Sequence, residues 1–385
     1  LLANVYKEMK LSIVIPARNE FPNIVFTIYS IVHDLETFLK PGDWEIIIVN
    51  NASDDEVFPR RGMGGTTDYL MARGMYWNRL LKVVYDPQAG NHSARNKGAE
   101  VAKGEYVFFS DGHMSYNKGF FKSMLKTCEE SGGIVHGTIN WMGAYPPTQV
   151  GYGYTIKLGE EIKGTWNNYK VDDKWFYIPA QGHCSVMVNR QQFLDFGGYP
   201  KYHRTYGGGE FYLNMKWWMF GSNVAVDPNA FGYHLASGRG YTYTHHDYKH
   251  NVFYIGKCLG MDEWVDRTYI NYLRHHDKAL MDRMMAEAEE EANRGERAFI
   301  DKHKKKTFNQ VIVERPWDKQ NIEKCGNSNS GLVVYHDSII PLFDESEASK
   351  EAYTNSKHRE DLDKFINENL SEFVYRRKIN PTDSL

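Results

Sequence analysis

Short uninterrupted apolar runs recur along the N-terminal third of the chain, separated by stretches with helical spacing. Residues 11–16 (LSIVIP), 44–50 (WEIIIVN), 81–85 (LKVVY) and 105–110 (EYVFFS) lack the alternation of a half-exposed strand. They read as buried parallel strands. Pro22 opens and Pro41-Gly42-Asp43 closes a helix over 22–40. A second helix spans 91–102, from Asn91 or Ser93 to the stop at Gly104. Strand and helix alternating at this spacing predict an α/β fold with a mostly parallel central sheet covered by helices.

Further along, 117–130 reads as a helix, 134–139 and 183–188 as strands, and 210–220 as an aromatic helix. Residues 223–227 read as a last strand, followed by a loop through His234. Two segments break the pattern. Pro59 to Arg73 is rich in glycine and arginine and suggests a loop or lid; Trp141 to Lys174 is rich in Gly, Pro, Tyr and Trp and suggests an insert lining an acceptor cleft. From about 265 the composition turns charged and helix-favouring, and 355–378 also looks helical. The expected division is a catalytic domain over 1–264 and a mostly helical region over 265–385. Its charged helices read first as solvated faces or packing support, then as acceptor-binding or oligomerisation elements.

Composition narrows the class. With 42% hydrophobic and 25% charged residues among 385, the chain is an ordinary folded protein. A formal net charge of −3 is unlike that of a globally basic nucleic-acid binder, although a local basic patch is compatible with it. Cys128, Cys184, Cys258 and Cys325 are scattered, which argues against a disulfide framework and suits a reducing, cytoplasmic setting. Lys7, Glu8 and Lys10 interrupt the apolar start, so no signal peptide is expected. No apolar run approaches the roughly 18 residues of a membrane span. Aromatic residues make up 14% and serve either as core or as platforms for the apolar faces of sugar rings.

Ligands of parallel sheets bind beyond the carboxyl ends of the strands, where Asn19, Asp54, Asp55 and Asp111 all fall. Asp111 and His113, one residue apart after an apolar strand, can give a divalent cation a carboxylate and an imidazole, a set that suits manganese. Such an ion would neutralise charge on a departing nucleoside diphosphate. His234 is the leading third ligand, with His245, His246 and His250 as alternatives. Asp54 and Asp55 could accept from a base N–H or a ribose hydroxyl, or simply cap a turn. Arg95 could meet a donor phosphate or lie on a helix surface. Gly207-Gly208-Gly209 permits close backbone approach to substrate ahead of Glu210, a candidate acceptor base or sugar-positioning group. Neither a Gly-x-Gly-x-x-Gly fingerprint nor a phosphate-loop Gly-Lys-Ser/Thr occurs.

VIPARNE at 14–20, VNNASDD at 49–55, GNHSARNKGAEVAKGEYVFFSDGH at 90–113 and GGYPKYHRTYGGGEFYLNMKWWMFG at 197–221, taken in order, resemble nucleotide-sugar glycosyltransferases of family 2 with the GT-A fold. The finer pattern is similar to the polypeptide N-acetylgalactosaminyltransferases, which use Asp-x-His at the metal. The resemblance implies metal ligands Asp111, His113 and His234 with Mn2+, and donor contacts from Pro16, Arg18, Glu20, Asn50, Asp54, Asp55, Arg95, Asp111, Gly208 and Gly209. It implies catalytic roles for Glu210 and Asp111, and a UDP-sugar donor. Asn251 and Met261-Asp262-Glu263-Trp264 match a later family motif. Tyr206 stands where the family usually has tryptophan, and neither a secretory anchor, a cysteine-rich pattern nor a lectin repeat is recognisable. The implied activity is metal-dependent hexosyl or N-acetylhexosaminyl transfer to an acceptor that is DNA, protein or glycan, leaning toward retention, with Glu210 positioning substrate; inversion would make Glu210 the base. One alternative is glycosylation of hydroxymethylated DNA bases, with Arg60, Arg61, Arg73, Lys302, Lys304, Lys305 and Lys306 on phosphates. Others are a noncatalytic carbohydrate-binding or scaffold protein and a sugar nucleotidyltransferase, which lacks its glycine-rich activation loop here.

Overall fold

The structure is a computed structural model and describes residues 9–55, 65–76, 81–87, 90–142, 150–158, 162–167, 170–235 and 242–317. Four strands form where the apolar runs lie: β1 (Leu11–Ala17), β2 (Trp44–Asn50), β3 (Leu81–Tyr85) and β4 (Tyr106–Ser110). They pair in parallel in the order β4-β1-β2-β3, with Ile13 opposite both Ile46 and Phe108. β2 and β4 are wholly buried, while the edge strand β3 exposes Lys82, Val83 and Tyr85.

Helices α1 (Asn23–Leu35), α2 (Thr66–Tyr76) and α3 (Asn91–Val101) connect these strands. α1 buries Ile24, Ile28, Ile31 and Leu35 along one stripe. Each such side chain contributes roughly 1.5–3 kcal/mol. α2 corrects the loop expected over Pro59–Arg73, since Thr66 onward is helical. The Asp55 carboxylate accepts from the Thr66 backbone N–H (2.9 Å) and hydroxyl (2.8 Å), satisfying an orphan donor of the first turn. Residues 56–64, with Arg60 and Arg61, lie outside the described residues.

The parallel run stops at β4. Beyond it come β5 (Met114–Tyr116), α4 (Phe120–Ser131), β6 (Ile134–Met142), β7 (Val150–Gly151), a hairpin of β8 (Tyr154–Leu158) and β9 (Ile162–Trp166), and β10 (Phe176–Tyr177). Then follow β11 (Ser185–Asn189), α5 (Arg190–Asp195), α6 (Gly209–Met219) and β12 (Val224–Leu235). β11 inserts antiparallel between β4 and β6, and β12 runs parallel to β6, so the sheet is mixed in the order β10-β12-β6-β11-β4-β1-β2-β3.

β12 departs from expectation in a way that matters. The register shifts between Asp227 and Phe231, and pairing with β6 then resumes through Leu235. Pro228 cannot donate to a ladder and so masks this continuation in the sequence. The buried Asp227 carboxylate is satisfied by the Ser123 (2.6 Å) and Thr127 (2.9 Å) hydroxyls. His234 therefore stands on a strand, not in a loop.

Toward the C-terminus come α7 (His245–Leu259), α8 (Asp262–Leu273), α9 (Lys278–Glu291), a π-helical turn over Ala292–Glu296, α10 (Arg297–His303) and α11 (Phe308–Glu314). They share one compact unit with the sheet. Met281, Met284 and Ala288 are buried, while Arg204–Glu287 (2.8 Å) and Lys216–Glu296 (3.8 Å) pair these helices to the segment around α6. Lys304 and Lys306 are paired with Asp301 (2.6 Å) and Glu314 (2.5 Å). Cys325 and the helix expected over 355–378 lie outside the described residues, and none of the described helices is long and apolar enough to cross a membrane.

Candidate active site

β4 delivers Asp111 to the carboxyl end of the sheet, where its N–H donates to the Cys184 carbonyl (3.3 Å). The chain turns through Gly112, and the reason for glycine is steric. A Cβ there would lie 2.7 Å from Cγ of Glu20, the residue whose carboxylate takes His113 Nδ1 at 2.9 Å. That contact puts the proton on Nδ1 and makes Nε2 the ligating nitrogen, the usual way a carboxylate orients a metal-binding imidazole. Thr27 of α1 pins the turn, donating to the Gly112 carbonyl (2.9 Å) and accepting from Met114 N–H (2.9 Å).

β12 brings His234 opposite Met114 of β5 and Trp141 of β6. Its Nε2 lies 3.7 Å from Asp111 Oδ2, and its ring meets His113 edge to face at 4.8 Å between centroids. One ligand atom from each of Asp111, His113 and His234 falls within 4.8 Å of the others. A carboxylate and two imidazoles at that spacing fit a divalent transition ion. The alternatives His245, His246 and His250 sit on α7 instead, where His250 Nε2 lies 2.9 Å from Glu291 Oε2.

Arg95 of α3 is 2% exposed. Its Nη2 donates to Asp111 Oδ1 (2.7 Å) and to the His183 carbonyl (3.0 Å). Its Nε and Nη1 have no partner among the described residues. Unmet buried donors cost about 1–3 kcal/mol each, so these nitrogens favour an acceptor within reach. Burial works to raise the Asp111 pKa, but the approach of His234 and the charges of Arg95 and His113 outweigh it and hold the carboxyl well below the usual range.

Glu210 lies in the first turn of α6. The two glycines before it serve the backbone. Gly208 adopts a left-handed φ of 75° at the cap, and a Cβ on Gly209 would meet the His92 ring at 2.2 Å. One turn on, the buried Asn214 donates to the carbonyls of Glu210 (2.7 Å) and Gln181 (3.1 Å), accepts from His136 Nε2 (2.8 Å), and stands 3.0 Å from His183 Nε2. His183 Nδ1 bonds the Tyr199 hydroxyl (2.7 Å), and His92 meets His203 at 2.9 Å. Burial pushes His136 and His203 down to about 4 and lowers His92 and His183 as well, so this layer is neutral. The sequence reading missed these residues. The one available signal was Asn214, an amide inside the apolar run FYLNMKWWM.

Asp111, His113, His234, Arg95, His183 and Glu210 border a cleft of about 460 Å³. Of the expected site residues, Pro16, Arg18, Glu20, Arg95, Asp111, His113, His234 and Glu210 line it, with Glu20 against His113 and Arg95 against Asp111. The remainder fall outside the lining. Asn50 bonds the Thr67 hydroxyl (3.0 Å), Asp54 accepts from Asn19 Nδ2 (2.7 Å), Asp55 caps α2, and Gly208 and Gly209 shape the start of α6. Asn51, one position beyond Asn50, lines the cleft in its place. Asn251 anchors the loop before α6, donating to the carbonyls of Arg204 (2.9 Å) and Tyr206 (2.8 Å). The lining is also aromatic, with Trp141, Tyr154, Trp166 and Tyr206.

Comparison with known proteins agrees with this geometry. Residues 12–148 match Glycosyl transferase family 2. The chain is 25% identical over 293 residues to putative polypeptide N-acetylgalactosaminyltransferase 13 of Drosophila melanogaster, covering 68% of this chain and 50% of that one. It is 23% identical over 234 residues to polypeptide N-acetylgalactosaminyltransferase 6 of Mus musculus, covering 56% and 36%. The chain thus spans about half or less of the length of these relatives. Among solved structures, the crystal structure of GalNAc-T7 with UDP, GalNAc and Mn2+ superposes with a TM-score of 0.61 at 17% identity, over 82% of this chain and 58% of that one. The fold is GT-A.

Proposed function

We propose that this chain, a GT-A protein with a glycosyl transferase family 2 domain over residues 12–148, moves a sugar from a UDP-sugar to an acceptor hydroxyl with the help of a divalent metal. One observation carries the reading: Asp111, His113 and His234 converge on the cleft floor beside a buried arginine with two unmet donors. That combination is chemistry for a metal-bound diphosphate. The names of the relatives and the UDP and Mn2+ bound to GalNAc-T7 support the same donor and metal.

Asp111, His113 and His234 would hold the ion, which when bound supplies positive charge against the departing diphosphate. Glu20 fixes the tautomer and aim of His113. Arg95 helps keep Asp111 ionised and sets a permanent positive charge beside the place the diphosphate would take, in a buried setting where such an interaction is strong. Glu210 holds the acceptor hydroxyl by a hydrogen bond. The acceptor oxygen bonds to the anomeric carbon, the bond from that carbon to the β-phosphate oxygen breaks with its electron pair on UDP, and with retention the hydroxyl proton leaves on the same phosphate.

The test is UDP release from a panel of UDP-sugars, with Mn2+ present or chelated. Release that requires Mn2+ and is lost in Asp111→Asn supports the reading. Folded protein that neither binds UDP with Mn2+ nor consumes any UDP-sugar overturns it. The anomeric configuration of the product, read by NMR, decides retention.

A further inference from the structure

The wall opposite Arg95 has no role in donor binding as described above, yet it is built with care. Trp141 on β6 stands beside His234 at 5.0 Å between rings, and Trp166 on β9 meets Trp141 edge to face at 6.1 Å and 89°. Tyr154 and Trp166 are direct cross-strand partners in the β8–β9 hairpin, with rings 4.6 Å apart at 70°. Two glycines make room for them. A Cβ on Gly151 would lie 2.2 Å from Trp166 Cε3, and one on Gly182 would lie 2.7 Å from the Tyr154 hydroxyl. Trp141, Tyr154 and Trp166 all line the cleft and remain partly exposed in it.

We infer that this aromatic corner is the acceptor subsite and that it takes a saccharide, with the C–H face of a pyranose against Trp166 and Trp141. The inference rests on the glycosyl-transfer reading of the cleft. Near-perpendicular rings offer a corner of faces and edges, which suits a puckered ring carrying hydroxyls around its rim; a flat nucleobase is best held between parallel faces. The charge pattern points the same way. The described lining holds two permanent cations, Arg18 and Arg95, and Arg95 is already paired with Asp111 at 2.7 Å. A phosphodiester chain would meet the carboxylates of Glu20, Asp111 and Glu210 in a described lining that contains no lysine. A sugar hydroxyl finds in Glu210 and Thr205 the hydrogen-bond partners it needs.

The test uses the full chain with Mn2+ and the active UDP-sugar. Initial rates are measured on methyl glycosides, on a Ser/Thr peptide and on duplex DNA carrying hydroxymethylated pyrimidines. Turnover of a glycoside is expected, with KM raised about tenfold in Trp166→Leu and largely restored in Trp166→Phe, which keeps a flat face. UDP affinity by calorimetry should stay within about twofold in both variants. Preferential turnover of the peptide or the DNA overturns the inference. So does glycoside KM unchanged in Trp166→Leu and in Trp141→Leu. Failure of wild-type protein to bind UDP at all instead removes the underlying reading of the cleft.

Discussion

The two walls of the cleft are made of different material. The donor side comes from turns at the ends of β1, β2 and β4 and from the start of α3, and it works through hydrogen bonds and charge: Arg95 on Asp111, Glu20 on His113. The opposite side comes from β6 to α6 and works through ring surfaces seated on glycines. The family match stops at residue 148, close to where one material gives way to the other. On the proposed reading, such a division would let one chemistry for the leaving group serve many acceptors, because the proposed acceptor side could change without disturbing the groups that would hold metal and diphosphate.

The comparison can be broken most sharply at the floor between the walls. Asp111→Asn removes a charged ligand and the partner of a buried arginine, and UDP release should fall at least about 100-fold with loss of Mn2+ affinity by calorimetry. Next comes Gly112→Ala, which drives a methyl into Glu20 and uncouples it from His113. Metal affinity should drop about tenfold or more while the UV circular dichroism stays native. Gly151→Ala tests the other wall. By displacing Trp166 it should raise acceptor KM several-fold and leave UDP affinity alone, which shows whether the walls are separable.

A further expected effect is one of pH on stability and belongs to histidines buried beneath and beside the cleft. His136, His203 and His250 are pushed by burial from 6.5 to about 4. Between those values the unfolded chain binds more protons than the folded one. Stability is therefore highest above pH 6.5 and falls as pH drops toward 4, by at most ~1.4 kcal/mol per pH unit for each histidine. Urea midpoints at pH 7, 6 and 5 measure it. A flat profile would mean these histidines take up protons in the folded chain as readily as in the unfolded one.

The donor wall was the legible one, for a physical reason. Buried parallel strands write themselves as unbroken apolar runs, and the residue after such a run lies at the sheet's functional edge, so Asp111 and His113 were visible from LSIVIP and EYVFFS onward. The acceptor wall depends on pairings between distant segments. Trp141 reaches His234 only through the register of β6 with β12, and Pro228 disguises that strand. Asn50, Asp54 and Asp55 carry polar side chains at a strand end, which fits a ligand contact and a local cap equally well in sequence. The geometry gives all three local hydrogen bonds. The histidine layer around Asn214 had no periodic signature, since its members come from five separate segments.

Lys216 has a consequence for how the protein is made. Its ammonium is fully buried under Glu210's helix, donates to the Gly198 carbonyl (2.5 Å), and has Glu296 as its counter-charge 3.8 Å away. Until residue 296 has been synthesised and docked, that cation is without its anion, and α6 has no settled seat. Arg18, Glu20, Arg95, Asp111 and His113 are all encoded before residue 115, but the carbonyls of His183 and Cys184 that hold Arg95 and Asp111, and His234 beside them, come later in the chain. The acceptor wall is completed only once the later helices arrive.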